Sequence, residues 1–189
     1  RWTAPNQEKR STHPWWMMRG KETNHQEKDI AVMGVVEIIG EDALDAFLGK
    51  VADTPQDLTV RGILRRAGRA GFYYWLKQQL TRRWFGADFR FAPVKKKISS
   101  GFADICTSFE AEHGALVKLD NQANAWQFVL DNRLAGQAAP ALTCDYIAGF
   151  LQEFASWAGL GKAYQVREET CVLRGDPACR IVILKNPLD

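Results

Sequence analysis

Apolar residues recur at helical spacing in three long segments and predict helices over 58–84, 94–112 and 144–158. A repeat of three or four residues puts these side chains on one face of each helix, where they can pack against a core. The stripe of the second helix is Ile98, Phe102, Ile105 and Phe109, and that of the third is Ile147, Phe150, Leu151, Phe154 and Trp157. A shorter helix is predicted after Glu41 and Asp42, because acidic residues are favoured at the positive end of a helix dipole.

Four shorter segments, 115–119, 125–130, 163–171 and 179–184, are predicted to be strands. Turn-forming residues join the first pair, and Gly175 with Asp176 marks a turn between the last pair. This order of elements predicts an α+β fold in which an antiparallel sheet packs against helices and the chain closes with a C-terminal β-hairpin. A chain of 189 residues that is 46% hydrophobic favours one domain over residues 29–189, preceded by an irregular tail, 1–28.

The distribution of charge along the chain argues against nucleic acid as a partner. The formal net charge is +3, and residues 1–28 hold six Lys/Arg against three Asp/Glu, so the excess lies in the tail. A neutral body argues against nucleic-acid binding, which requires a clustered basic face. No apolar stretch approaches the ~20 residues that span a bilayer. No secretory leader is visible, and four cysteines are too few for a disulfide scaffold, so we expect a cytoplasmic protein.

A short stretch near the C-terminus carries the side chains with the clearest chemistry. Cys171 and Cys179 lie symmetrically about Gly175, so a hairpin that turns there puts them opposite each other, with Cβ atoms roughly 4.5–5.5 Å apart. Glu168 faces the other side of an ideal strand and needs a β-bulge to re-aim it. With Cys144 these side chains would supply the four ligands of a tetrahedral zinc. A disulfide between the first two cysteines, or cysteines inert in the core, are the alternatives.

The region 144–183 contains the runs Cys144-Asp145-Tyr146-Ile147-Ala148-Gly149-Phe150, Val166-Arg167-Glu168-Glu169-Thr170-Cys171 and Gly175-Asp176-Pro177-Ala178-Cys179-Arg180-Ile181. With these runs it resembles the C-terminal half of the 4-vinyl reductase domain. In the aromatic-sensing members of that family, a Cys, a Glu-x2-Cys pair and a further Cys coordinate zinc. Carried over position by position, the resemblance implies a zinc cofactor with the ligands Cys144, Glu168, Cys171 and Cys179. A looser match to the same family extends over 61–71.

The same resemblance implies a small aromatic ligand in an apolar pocket between helices and sheet, oriented by a His and a Trp. His113 and Trp126 lie in the corresponding region of this chain. Mostly apolar pockets with a few polar groups are typical of ligand sites. Four phenylalanines of the helix stripes complete the predicted ligand-binding set: Phe102, Phe109, Phe150 and Phe154. The alternative is that Trp126 belongs to the core and that His113 is a helix C-terminal residue favoured by the dipole.

An apolar cluster interrupts the polar tail at Trp15, Trp16, Met17 and Met18. Trp and Met are enriched at protein interfaces. We therefore expect this cluster to dock on its own domain or on a second subunit, in a homodimer or a larger complex.

The sequence favours binding over catalysis. It contains no glycine-rich phosphate loop, serine nucleophile elbow or HExxH motif, and a zinc with four protein ligands has no open position for water. The predicted function is a sensor, carrier or accessory domain for an aromatic or hydrophobic small molecule. Two enzymatic alternatives stay open. One is a role in tetrapyrrole vinyl reduction, from which the family takes its name. The other is a small-molecule hydrolase, since the turn before Cys179 also resembles the aminothiazoline carboxylate hydrolases.

Overall fold

The computed structural model describes residues 29–78, 87–113, 117–130 and 143–188. Within these ranges, helices pack against one antiparallel sheet, which confirms the predicted α+β fold. The helices are α1 Ile30–Ile39, α2 Leu44–Asp53, α3 Leu58–Gln78, α4 Ala87–Phe91, α5 Val94–His113 and α6 Cys144–Ala158. The strands are β1 Val117–Asn121, β2 Ala125–Leu130, β3 Tyr164–Thr170 and β4 Cys179–Pro187. None of the described helices is long and apolar enough to cross a membrane.

The observed bounds agree best with the sequence where the apolar period is regular. Helix α6 and strand β2 begin and end at the predicted residues. The apolar pattern does not predict α1, because nine of its ten residues, all except Glu37, are nonpolar and therefore show no helical period. The predicted continuation of α3 beyond Gln78 lies outside the described residues. The tail, including its cluster of Trp15, Trp16, Met17 and Met18, lies outside them as well.

The four strands form a sheet in the order β1-β2-β4-β3, with every neighbouring pair antiparallel. The two central strands carry most of the buried apolar side chains, because each is covered by a neighbour on both edges. The pairing of β3 with β4 confirms the predicted C-terminal strand pair. The turn between these strands places Cys171 and Cys179 close to Cys144 at the beginning of α6.

Helix α3 packs directly on α1 and on α6 through glycines. A Cβ atom on Gly68 of α3 would collide with the backbone carbonyl of Tyr146 in α6. In the reverse direction, a Cβ atom on Gly149 of α6 would collide with the carbonyl of Arg65. A Cβ atom on Gly34 of α1 would likewise collide with the backbone of α3, at the carbonyl of Ala67. The three helices therefore touch backbone to backbone, which fixes where α3 can carry side chains to the start of α6.

The core between helices and sheet is rich in aromatic rings. Phe102 of α5 contacts Trp126 at a centroid distance of 5.5 Å, Phe128 at 4.8 Å and Phe154 at 5.1 Å. Rings that meet edge to face or tilted contribute roughly 0.5–1.5 kcal/mol per pair beyond the burial of their area. One residue of α5 thus joins β2 to α6 across the centre of the domain.

Candidate functional site

The structure brings the four predicted metal ligands together. One ligand atom from each of Cys144, Glu168, Cys171 and Cys179 lies within 4.8 Å of all the others. The Sγ atom of Cys171 is 3.9 Å from the Sγ atoms of both Cys144 and Cys179. Two sulfurs that bind one tetrahedral zinc at 2.3 Å are about 3.8 Å apart, so this spacing suits a shared ion. The cysteines are free, and the sulfurs are far beyond the ~2.05 Å of a disulfide bond.

The turn that carries two of the sulfurs differs from the predicted tight hairpin. Strand β3 ends at Thr170, and a 3-10 turn over Val172–Arg174 follows it. Gly175 then adopts a left-handed conformation with φ 88°, which glycine tolerates because it has no Cβ. Cys171 consequently lies just past the end of the strand and is not a ladder partner of Cys179. The two thiols are adjacent because the chain folds back on itself in this turn.

Backbone hydrogen bonds hold these two cysteines in place. The N–H of Cys171 donates to the carboxylate of Asp176 at 2.8 Å. The N–H of Val172 donates to the Sγ atom of Cys179 at 3.4 Å, a contact that favours the thiolate form. The third sulfur comes from Cys144, the first residue of α6, and so reaches the site from the helical layer.

Glu168 reaches the cysteines through a β-bulge, as predicted. The register of β3 against β4 shifts by one residue between Glu168 and Thr170, so Glu169 is the extra residue. Because the bulge absorbs one position, Glu168 and Cys171 are separated by an even step and can share one face of the sheet. The geometrically weakest of the predicted ligands is thus brought into the cluster by an irregularity of the strand.

Two arginines bind the carboxylate of Glu168 from outside the cysteine cluster. Arg61 and Arg174 each donate to its Oε2 atom at 3.2 Å. Its Oε1 atom is buried and has no hydrogen-bond partner among the described residues. A charged oxygen that is buried without a partner destabilises the folded protein by on the order of several kcal/mol. A cation bound by the neighbouring sulfurs would satisfy this atom, so the residues present fit a metal ion.

Crowding of acidic groups shifts the pKa values of all three thiols. Hydrogen bonding with Cys179 and then burial raise the pKa of Cys144. Burial, followed by the Glu168 carboxylate, raises the pKa of Cys171 to about 12. The pKa of Cys179 is lowered, first by its hydrogen bond with Cys144. The thiolate form is therefore favoured at Cys179 and disfavoured at its two neighbours. A divalent cation would compensate the negative charge of all three thiolates, because coordination to a metal deprotonates a thiol.

The predicted ligand-binding aromatics belong to the buried core. Five of them are at most 7% exposed: Phe102, Phe109, Trp126, Phe150 and Phe154. The indole N–H of Trp126 donates to Ser99 Oγ at 2.8 Å, so its polar group faces α5. His113 is the last residue of α5, and its side chain lies outside the described part of the structure. Ligand binding by this set stays a prediction.

Sequence reasoning misses the charged residues around the cluster. Asp145 follows the ligand Cys144 directly, and Arg174 lies in the turn between two ligands, so adjacency was a signal for both. Arg61 is 84 positions from Asp145, with which it forms an ion pair at 2.8 Å. Only the close packing of α3 on α6 brings Arg61 to the site.

No protein-family model matches this chain, and no curated protein sequence does so either. The resemblance to the 4-vinyl reductase domain therefore rests on the quoted residues alone. Solved structures do share the fold. An H-NOX protein from S. oneidensis in the Fe(II)NO ligation state has a TM-score of 0.52 at 15% identity, over 84% of this chain and 99% of that one.

Two further structures have similar scores. A trafficking protein particle complex subunit 3 from Naegleria fowleri, covalently bound to palmitic acid, has a TM-score of 0.50 at 12% identity, over 84% of this chain and 98% of that one. The phenol-responsive sensory domain of the transcription activator PoxR with phenol has a TM-score of 0.49 at 20% identity, over 86% of this chain and 77% of that one. At such identities, what the chain shares with the H-NOX protein and the trafficking subunit is their fold.

Proposed function

We propose that this chain is a small-molecule-binding domain, acting as a sensor, carrier or accessory subunit, with a structural zinc held by Cys144, Glu168, Cys171 and Cys179. The observation that carries the zinc part of this proposal is the convergence of three thiols and one carboxylate within 4.8 Å. Zinc favours sulfur ligands with an occasional carboxylate, in a shell of four. Four protein ligands leave no position for a water molecule, so the metal would stabilise the fold and would not hydrolyse a substrate.

The zinc would join parts of the chain that are distant in sequence. Cys144 begins α6, Glu168 lies in β3, and Cys179 begins β4. An unfolded chain does not hold these residues together, so metal binding and folding are coupled. Helix α6 also contributes Phe150 and Phe154 to the aromatic core. A metal at its first residue would therefore fix the helix that forms one wall of the proposed ligand-binding region.

The proposed ligand is an aromatic or hydrophobic small molecule. The aromatic core supports this proposal, because its rings offer the apolar contacts that are typical of ligand sites. Proteins that share the fold include one that is covalently bound to palmitic acid and one in an Fe(II)NO ligation state. The fold is thus compatible with holding small molecules.

Trp126→Phe should weaken the binding of a small aromatic or acyl probe by roughly 1–3 kcal/mol, because it removes part of the apolar contacts of a buried side chain. Phenol and palmitate are suitable probes, titrated by calorimetry against the full chain. Phenylalanine is preferable to alanine, since truncating a fully buried Trp costs roughly 3–5 kcal/mol of stability.

Trp157→Phe is the matched control for this experiment. Trp157 is partly buried and stacks on Phe89 at 6.0 Å, and it is outside the predicted ligand-binding set. Its replacement should leave probe binding unchanged. Failure of both probes to bind, or equal weakening by the two substitutions, would contradict the proposed ligand site.

The proposed assembly is a homodimer or a subunit of a larger complex. Helix α1 begins directly after the tail, and its residues Val32, Met33 and Val36 are only partly buried. A partly exposed apolar helix that follows an apolar tail segment in the sequence is typical of an interface. Deleting residues 1–28 should therefore convert the assembly to a monomer or make it aggregate, as measured by light scattering during size-exclusion chromatography. Deleting residues 1–12 alone keeps Trp15 to Met18 and should leave the assembly intact. A 29–189 fragment with unchanged size and solubility would refute the role of the tail.

A further inference from the structure

Arg61 connects the central helix α3 to both chain segments that flank the candidate metal site. Its Nε atom donates to Asp145 Oδ2 at 2.8 Å, and its Nη2 atom lies 3.3 Å from Asp145 Oδ1. The same Nη2 atom donates to Glu168 Oε2 at 3.2 Å. Asp145 follows Cys144 in the first turn of α6, while Glu168 lies in β3. One guanidinium thus ties the helix that supplies a thiol to the strand that supplies the carboxylate.

Arg174 approaches the same carboxylate from the turn that carries the other two thiols. Its Nη1 atom donates to Glu168 Oε2 at 3.2 Å. Both arginines use Oε2, which leaves the buried Oε1 atom without a hydrogen bond among the described residues. In metal sites, outer groups commonly fix a ligand's orientation by binding the atom that the metal does not use. Glu168 fits this arrangement, because its Oε2 atom binds the two arginines and its Oε1 atom remains for an ion.

The charges of the site support the same role for both arginines. Three thiolates and one carboxylate carry four negative charges, of which a divalent cation compensates two. Arg61 and Arg174 supply two positive charges at hydrogen-bond distance from a ligand. The Glu168 side chain is only 9% exposed, so solvent screens these contacts less than it screens surface pairs. Asp145 carries a further negative charge and holds the guanidinium of Arg61 in a two-point contact.

We propose that Arg61 is a positioning residue of the metal site: together with Arg174 it binds Glu168 Oε2, reserves Oε1 for the ion and compensates the excess charge of the ligands. The inference rests on the zinc site proposed above. It also gives the close packing of α3 on α6 a role at the metal site, because the glycine contacts between these helices bring Arg61 within reach of Glu168. Binding of the metal would accordingly help to hold α3 in place, and Phe72 and Trp75 of this helix are part of the buried core.

Arg61→Met tests the proposal, with zinc affinity of the full-length chain measured by competition against a chelator of known affinity. We expect a loss of roughly 10–100-fold, the range typical of outer partners of metal ligands. Arg61→Lys should give an intermediate loss, because lysine keeps the charge but lacks the planar fork that contacts two carboxylates. A purely structural role would weaken zinc binding only as far as the variants also lower the thermal stability of the chelator-treated protein, with no graded loss beyond that.

Arg69→Met is the matched control. Arg69 lies on the same helix and pairs with Glu153 at 2.7 Å, and neither residue contributes a ligand atom to the cluster. Its zinc affinity should equal that of the wild type. Unchanged affinity of the Arg61 variants, with zinc bound by the wild type, would overturn the role of Arg61 and leave the zinc site intact. A wild-type protein that binds no zinc would overturn both. If Arg61→Met does not fold, the comparison of Arg61→Lys with Arg69→Lys decides the question.

Discussion

Replacing Cys179 by serine should remove zinc from the protein and lower its Tm by roughly 10 °C, since loss of a structural metal belongs to the large destabilising changes. Cys179 is 4% exposed and is the thiol whose pKa the neighbours lower. A serine hydroxyl does not ionise at neutral pH, so three ligands would remain where zinc needs four. Elemental analysis and thermal unfolding of the same preparation should show both losses together, because metal binding is coupled to folding.

Cys106→Ser is the control for this prediction. Cys106 is 8% exposed, so the same atom exchange is made at a similar degree of burial, but it lies on α5 and outside the ligand cluster. It should keep its zinc and lose only the smaller stability that a buried hydroxyl costs. The zinc site is contradicted if Cys179→Ser retains a full equivalent of zinc, or if the wild type contains a Cys171–Cys179 disulfide.

Two glycine substitutions in α3 should change stability in opposite directions. Gly68→Ala puts a Cβ atom into the backbone carbonyl of Tyr146, which forces α3 and α6 apart. Overpacking of this kind destabilises by roughly 1–3 kcal/mol, and the value here should lie at or above the upper end because the obstructing atom belongs to the backbone. Gly62→Ala meets nothing within 4 Å. It should stabilise the protein by roughly 0.5–1 kcal/mol through helix propensity.

Denaturant unfolding of both variants measures this contrast. The two substitutions are chemically identical and lie in one helix, so propensity contributes equally and the difference reports the contact between helices. Gly68→Ala should also weaken zinc binding, because α6 begins with Cys144 and α3 carries Arg61. Equal effects at the two positions would mean that the backbone contact between α3 and α6 is not what holds these helices together.

The sequence predicts those parts of the fold in which one local pattern decides the structure. The apolar stripe of α6 gives its bounds, because residues such as Phe150 and Phe154 recur at helical spacing. The need for a β-bulge is also predictable, since only an extra residue can bring Glu168 to the face of Cys171 if both bind one metal, and the fold has that residue at Glu169. In contrast, α1 is apolar at nearly every position, and a uniform run does not distinguish a helix from a strand.

The parts of the site that escape prediction depend on packing between distant segments. Gly68 and Gly149 can be read as weak points of a helix, whereas in the fold they permit α3 and α6 to touch. The resulting approach brings Arg61 to Asp145 and Glu168, a contact that no local spacing encodes. The hydrogen-bond pattern of the last turn is likewise set by the fold.

Zinc K-edge X-ray absorption of the protein, purified without chelator or added metal, tests the central claim most directly. We expect about one zinc per chain, with three sulfur ligands at about 2.3 Å and one oxygen ligand at about 2.0–2.2 Å. Cys144, Cys171, Cys179 and Glu168 would account for this shell, since their ligand atoms converge within 4.8 Å. Protein without zinc, or zinc in a shell with fewer than three sulfurs, would contradict the account.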